Sequence, residues 1–126
     1  MYEILIEDTF DAAHCLRGYQ GDCERLHGHT YRAQVFMRTV SLDEQGISID
    51  FRKAKAELTA VLSRLDHTYL NELPDFRDEN PSAENLARLI HEGMSCAFPG
   101  RVHRVTVWET PNSAVSYWTD AQEPWS

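Results

Sequence analysis

Two stretches near the N-terminus alternate between apolar and polar residues, with the two-residue period of a strand that buries one face. In residues 2–14 the even positions are apolar, except that Asp8 breaks the series and is a candidate β-bulge. In residues 27–38 the odd positions are apolar. The two apolar sets are Tyr2, Ile4, Ile6, Phe10 and Ala12, and then Tyr31, Ala33, Val35 and Met37.

The middle of the chain has helical spacing instead. The apolar stripe of a first helix, within residues 48–67, comprises Phe51, Ala54, Leu58, Val61, Leu62 and Leu65, and Asp50 or Ser48 is its predicted cap. After the turn-rich residues 71–82, a second helix is predicted to be capped by Ser82 and to end at residues 98–100 (FPG). Its stripe comprises Leu86, Leu89, Ile90, Met94 and Ala97.

The last third of the chain predicts two more strands. Residues 105–110 (VTVWET) alternate, residues 111–115 (PNSAV) predict a turn, and residues 115–119 (VSYWT) predict a returning strand. The order is therefore ββααββ. This order predicts an α+β fold, with both helices packed on one face of an antiparallel sheet.

Composition narrows the class of protein. A chain of 126 residues is long enough for one domain, residues 1–126, with its own core. The net charge of −8 argues against nucleic acid or an anionic membrane surface as a partner. The N-terminus lacks the pattern of a signal peptide, so the expected location is cytoplasmic. Three cysteines, Cys15, Cys23 and Cys96, argue against a disulfide framework, and Cys15 and Cys96 are expected to be small hydrophobic side chains rather than reactive groups.

The sequence CERLHGH, residues 23–29, is the first candidate for chemistry. On a strand His27 and His29 point the same way, about 6.5–7 Å apart at their Cα atoms, with Gly28 leaving the opposite face open. They share the apolar phase of their strand, and His14 shares that of the first strand, unless a bulge shifts it. Three imidazoles make an open zinc site, whereas Cys23 as a fourth ligand would make a closed, structural one. Partly buried histidines without a metal are the alternative.

Two further groups carry candidate chemistry. Glu109 is in phase with the apolar Val105 and Val107, where a carboxylate needs a partner or a ligand, unless the strand frays before it. Asp66 and His67 end the first helix, where the carboxylate would orient the imidazole for proton transfer. The alternative for His67 is a favourable position at a helix C-terminus. His91 and His103 are expected at the surface.

Six motifs occur together along the chain: FDAAH, CERLHGHTY, GISIDF, LDHTYLN, NPSAENLA and VWETPNSAVSY. In order and spacing the whole chain resembles the 6-pyruvoyltetrahydropterin synthase / 6-carboxytetrahydropterin synthase family. It is most similar to the bacterial 6-carboxy-5,6,7,8-tetrahydropterin synthases of the queuosine (7-deazaguanine) pathway. The resemblance implies a tunnelling fold (T-fold), a four-stranded antiparallel sheet with two helices on one face. It also implies a homo-oligomer, a trimer or hexamer, with sites at subunit interfaces.

The resemblance also implies the roles of the site residues. Zn²⁺ would be bound by His14, His27 and His29. Cys23 would be the catalytic proton acceptor, His67 with Asp66 the proton relay, and Glu109 the anchor of the pterin and part of the relay.

The substrate implied by the resemblance is 7,8-dihydroneopterin triphosphate, with 6-carboxy-5,6,7,8-tetrahydropterin, acetaldehyde and triphosphate as products. Glu24, next to Cys23, also fits the Glu-x-x-His-Gly-His pattern of the branch that cleaves the dihydroneopterin side chain to 6-hydroxymethyl-dihydropterin. The alternatives are therefore a dual activity through Glu24, 6-pyruvoyltetrahydropterin synthesis, or a non-catalytic zinc or pterin-binding module. The alternative for Glu24 itself is a solvated loop residue without a catalytic role. Arg17 and Arg25 are near enough in sequence to be considered for the triphosphate.

Overall fold

The computed structural model describes residues 1–18 and 27–119, and within them five strands and two helices. The strands are β1 (Tyr2–His14), β2 (His27–Thr39), β3 (Thr68–Tyr69), β4 (Val102–Thr110) and β5 (Ser113–Tyr117). The helices are α1 (Phe51–Ser63) and α2 (Ala83–Ala97), with two 3₁₀ turns, Leu70–Glu72 and Pro74–Phe76, between them. The predicted α+β class is confirmed.

Strands β1 and β2 form a long antiparallel pair without a register shift. The pairing runs from Tyr2 opposite Thr39 to His14 opposite His27. The candidate bulge at Asp8 is therefore absent from this pair. Asp8 is tolerated in the apolar series of β1 because its side chain is exposed. Its carboxylate accepts hydrogen bonds from the backbone N–H of Thr9 and from the Thr59 hydroxyl of α1.

The sheet has one strand more than the four-stranded antiparallel sheet implied by the resemblance. Its order is β3-β1-β2-β4-β5, and β3 pairs parallel to β1 through Thr68 beside Ala12 and Tyr69 beside Ala13. A strand of two residues is too short to show a two-residue period, so the hydrophobic pattern could not reveal it. This short strand holds the residues that follow α1 against the end of β1.

Both helices pack on the face of the sheet that the apolar phases predict. Most of the apolar even side chains of β1, the apolar odd side chains of β2 and most of the stripes of α1 and α2 form one buried cluster. The predicted caps are present, since Asp50 accepts a hydrogen bond from Arg52 N–H and Ser82 accepts one from Asn85 N–H. Among the described residues, no helix is long and apolar enough to cross a membrane.

Two side chains on the helices differ from the sequence predictions. Phe51 is the first residue of α1 and is exposed, because a helix end extends past the sheet that covers its later turns. His91 was expected at the surface, but it is buried on the same face of α2 as Ile90 and Met94. Its ring contacts Tyr117 of β5, with centroids 5.2 Å apart. When a histidine is flanked by both charged and apolar residues, the sequence does not indicate whether it lies on the buried or the exposed side of the helix.

The opposite face of the sheet is polar. Glu3 pairs with Arg38 across β1 and β2, at 2.8 Å between Oε2 and Nε. Trp108 of β4 donates its indole N–H to Gln34, and the guanidinium of Arg32 lies over its ring. These contacts link three adjacent strands on a face that no described helix covers.

Candidate functional site

His14 is the last residue of β1 and is buried under the loop that leads to α2. Its Nδ1 lies 2.7 Å from the carbonyl oxygen of Pro81. A carbonyl only accepts, so Nδ1 carries a proton, and Nε2 is the ring nitrogen left to face the site. A backbone carbonyl that fixes one ring nitrogen in this way is common behind a metal-binding histidine.

His29 lies on the same side of the sheet as His14, as the strand phases predict. Its partner across the pair is Ala12, and the rings of His14 and His29 meet edge to face with centroids 5.4 Å apart. His27 stands opposite His14 in the register, but its side chain lies outside the described part of the structure. The common face is confirmed for two of the three histidines, and their role as ligands stays a prediction.

The carboxylate of Glu109 lies next to His14 and His29. Strand β4 continues to Thr110, so it does not fray before Glu109, and the β4–β5 pairing shifts its register between Trp108 and Thr110. Glu109 Oε1 lies 3.0 Å from His29 Nε2 and 3.5 Å from His14 Nε2. The carboxylate therefore faces the ring nitrogens, as the apolar phase of Glu109 predicts.

The ligand atoms of His14, His29 and Glu109 are suited to bind a cation. A carboxylate oxygen and an unprotonated imidazole nitrogen are both acceptors, so their approach requires a proton or a metal ion between them. The three ligand atoms lie within 4.8 Å of one another. Tetrahedral zinc places neighbouring nitrogen and oxygen ligands roughly 3.3 Å apart. Small movements of these side chains would suffice to reach that spacing.

The ring of Tyr31 packs against His14 and His29. The sequence pattern had identified Tyr31 only as one of the apolar residues of β2. Its ring stacks on Phe10 at 4.9 Å between centroids and meets His14 and His29 edge-on. Burial, together with the charge of Glu109, raises the pKa of the Tyr31 hydroxyl. The side chain is therefore a neutral, rigid wall against which the two imidazoles are oriented.

Asp66 and His67 face each other, although adjacent residues usually diverge. His67 has a left-handed backbone, with φ of 57°, and its Nδ1 lies 3.0 Å from Asp66 Oδ2. Asp66 Oδ1 accepts the backbone N–H of Asp11 at 2.9 Å. That hydrogen bond, with a smaller contribution from His67, holds the pKa of Asp66 below its usual range. The two side chains are brought together as predicted, and their catalytic role stays a prediction.

One cleft contains a residue from each of the two clusters, His29 from the cluster with His14 and Glu109, and His67 from the pair with Asp66. It is lined by Asp11, Ala12, Ala13, Gly28, His29, Thr30, His67 and Thr68. Gly28 leaves this surface open, since the nearest atom to a Cβ there would be the carbonyl oxygen of Ala12 at 3.7 Å. A ligand in the cleft would reach His29 and His67 together.

Arg17 was considered as a ligand of the triphosphate, but its side chain bonds the backbone of the turn region instead. Its guanidinium donates to the carbonyl oxygens of Asn71, Phe76 and Glu79, at 3.2, 2.8 and 3.1 Å. Asn80 bonds both backbone groups of Arg17, and Asn71 bonds both backbone groups of Cys15. Side-chain amides thus continue the pairing of β1 beyond His14. Sequence reasoning missed this role, because single asparagines in a turn-rich segment carry no periodic signal.

The remaining predicted site residues are Cys23, Glu24 and Arg25, and all three lie outside the described residues. Cys15 is partly buried, in keeping with a small packed side chain. Cys96 is exposed on α2.

Comparison with known proteins identifies the family. A family model described as 6-pyruvoyl tetrahydropterin synthase matches residues 3–120. The chain belongs to the 6-pyruvoyl tetrahydropterin synthase family. It is therefore a member of an enzyme family. Among solved structures, the 6-pyruvoyl tetrahydropterin synthase of Caenorhabditis elegans aligns with a TM-score of 0.85 at 28% identity, over 95% of this chain and 98% of that one. The predicted T-fold is confirmed by this likeness.

Two curated relatives within the family carry different names. The 6-carboxy-5,6,7,8-tetrahydropterin synthase of Synechocystis sp. is 36% identical, over 98% of both chains. The dihydroneopterin monophosphate aldolase of Pyrococcus furiosus is 34% identical, over 84% of this chain and 88% of the relative. The family thus includes relatives of similar identity that are named for different reactions on pterins.

The contacts of Arg17 predict a structural effect of its removal. Arg17→Ala should lower the free energy of unfolding by about 1–3 kcal/mol, because a charged donor to three carbonyls is lost. Urea denaturation measures the change. Arg77→Ala is the matched control, since Arg77 is exposed in the same turn region and should change stability by less than about 0.5 kcal/mol. An Arg17→Ala variant of wild-type stability would contradict the bracing role.

Proposed function

We propose that the protein is a zinc-dependent 6-carboxy-5,6,7,8-tetrahydropterin synthase that acts in queuosine (7-deazaguanine) biosynthesis. It would convert 7,8-dihydroneopterin triphosphate and water to 6-carboxy-5,6,7,8-tetrahydropterin, acetaldehyde and triphosphate. The observation that carries the proposal is the convergence of His14, His29 and Glu109 beside a cleft that also contains His67. The Synechocystis relative, which aligns over 98% of both chains, carries the name of this synthase. The expected location is cytoplasmic.

Zinc would be held by His14, His27 and His29, with the tautomer of His14 set by the Pro81 carbonyl. Bound there, zinc supplies Lewis acidity, which makes substrate hydroxyls more acidic and stabilises negative charge that develops on oxygen. In that arrangement the carboxylate of Glu109 is available to the substrate. A carboxylate accepts two parallel hydrogen bonds from the amino group and ring N–H of a pterin, which would set the orientation of the ring.

Proton transfer would fall to two other groups. Cys23 would accept a proton from the substrate side chain, because a nearby cation favours its thiolate. His67 would return protons to the substrate. Since Asp66 Oδ2 is an acceptor beside His67 Nδ1, Nδ1 carries a proton there, and Nε2 would be the nitrogen available for proton transfer. The protein would be a homo-oligomer, a trimer or hexamer, with its sites at subunit interfaces.

A second candidate is cleavage of the dihydroneopterin side chain to 6-hydroxymethyl-dihydropterin, with Glu24 as the base. The similarity to the Pyrococcus furiosus aldolase favours considering it. 6-Pyruvoyltetrahydropterin synthesis is the third reaction compatible with the same zinc and pterin groups. A module that binds zinc or pterin without turnover is the non-enzymatic alternative.

The product identifies the reaction. Incubation of the purified protein with dihydroneopterin triphosphate should yield 6-carboxytetrahydropterin, identified by its mass, together with acetaldehyde. A hydroxymethyl or pyruvoyl pterin would instead identify one of the other two reactions. Binding without any product would support the non-catalytic module.

Replacement of the proposed base should separate catalysis from metal binding. Cys23→Ala should lower turnover by about 100-fold or more, because no other thiol is expected at the cleft, and should leave zinc bound. Cys96→Ala is the control for the loss of a thiol, since Cys96 is exposed on α2. Full turnover by Cys23→Ala would refute the assignment. Reduced turnover in Glu24→Gln, with Cys23 intact, would point to the side-chain cleavage reaction.

Metal analysis tests the ligand set. The wild-type protein should contain one zinc per subunit, and His29→Ala should lose it because a ligand is removed. Elemental analysis after dialysis measures the content. His67→Ala is the matched control, a histidine in the same cleft that should leave zinc in place. Loss of zinc from Cys23→Ala would contradict the open three-histidine site and favour a closed structural one.

A further inference from the structure

Asp11 is joined to the Asp66–His67 pair through its backbone. Its N–H donates to Asp66 Oδ1 at 2.9 Å, and its carbonyl accepts the N–H of His67 at 2.5 Å. Both bonds lie next to the short pairing of Ala12 with Thr68. The end of β1 therefore holds both residues of the pair.

The turn at His67 needs such support. A left-handed backbone costs about 1–2 kcal/mol for a residue other than glycine. The φ of 57° at His67 is the single positive φ at a non-glycine residue in the described chain. It is this conformation that lets Asp66 and His67 face each other. The two bonds to Asp11 offset its cost, so the geometry of the pair depends on the position of Asp11.

The side chain of Asp11 adds a second carboxylate beside the imidazole. Ligand atoms of Asp11, Asp66 and His67 lie within 4.8 Å of one another. Asp11 Oδ1 accepts the hydroxyl of Thr30, its partner across the β1–β2 pair, at 2.5 Å. The hydroxyl holds the Asp11 carboxylate and offsets part of its repulsion with Asp66. The residues that face His67 from β1, β2 and its own turn are thus Asp11, Thr30 and Asp66.

We infer that Asp11, held by Thr30, is a positioning residue that keeps His67 oriented toward the cleft. This role rests on the proposed function, in which His67 transfers protons. Asp11 lines the same cleft but is not a zinc ligand in this scheme, and its hydrogen bonds are to Asp66, His67 and Thr30. It acts through His67, and its carboxylate on the polar face complements the backbone bonds that it makes at the edge of the sheet.

Asp11→Asn isolates the contribution of the charge, because an amide oxygen still accepts from Thr30 and the backbone bonds remain. The variant should lower kcat roughly tenfold, a part of the contribution of one acid–base group, with KM within about twofold. Asp11→Glu should recover part of the loss. Asp8→Asn is the matched control, an exposed carboxylate on the same strand that is bonded to Thr59 instead. Zinc content and melting temperature should match the wild type throughout.

A second measurement does not depend on turnover. The imidazole nitrogen NMR shifts of His67, assigned by their loss in His67→Gln, report its tautomer and surroundings. They should move in Asp11→Asn and in Thr30→Val but not in Asp8→Asn. Unchanged shifts, or a wild-type kcat in Asp11→Asn alongside inactive His67→Gln, would overturn the inference. If the wild type yields no pterin product, the proposed function fails, and the NMR shifts alone decide whether Asp11 positions His67.

Discussion

The unbroken register of β1 and β2 is the constraint on which the candidate site depends. Because side chains alternate along a strand, a shift of one residue would move His14 to the opposite face from His29. The register places these two imidazoles on the helix-covered face. The same register puts Asp11 opposite Thr30 on the other face. One hairpin thus supplies His14 and His29 on one face and Asp11 and Thr30 on the other, and the cleft at its end is lined by residues of both faces.

The hairpin alone would leave its last residues free to fray, and the loop before α2 prevents this. Asn71 and Asn80 bond the backbone that follows His14, in place of a neighbouring strand. The Pro81 carbonyl then fixes the tautomer of His14, and the Ser82 cap holds the start of α2 immediately after it. A buried imidazole with one nitrogen already bonded loses little further freedom on binding a ligand. The loop therefore contributes preorganisation rather than chemistry.

Periodicity predicted the parts of this structure that involve many residues. The two long strands, both helices and the common side of His14 and His29 follow from apolar phases, and Glu109 follows from its anomalous place in such a phase. Periodicity could not predict contacts made by single residues. The bonds of Arg17 to three carbonyls, the burial of His91 and the two residues of β3 depend on long-range packing, which leaves no period in the sequence. The resemblance to a known family supplied the roles of the site residues, which the strand phases left open.

The choice among reactions rests on a small part of this scaffold. Relatives named for a synthase and for an aldolase have nearly equal identity to this chain, at 36% and 34%, so overall similarity does not separate the reactions. A fold supports several chemistries when the groups that bind and orient a substrate stay and the base changes. Here the proposed binding groups come from β1, β2 and β4, whereas the two candidate bases, Cys23 and Glu24, are adjacent in sequence and precede β2. Adjacent residues rarely present both side chains to one substrate atom, so one of the two should dominate proton abstraction. If zinc binds as proposed, the thiol would have the advantage, because a thiolate is stabilised by a cation at a pH where a carboxylate is already ionised and gains little.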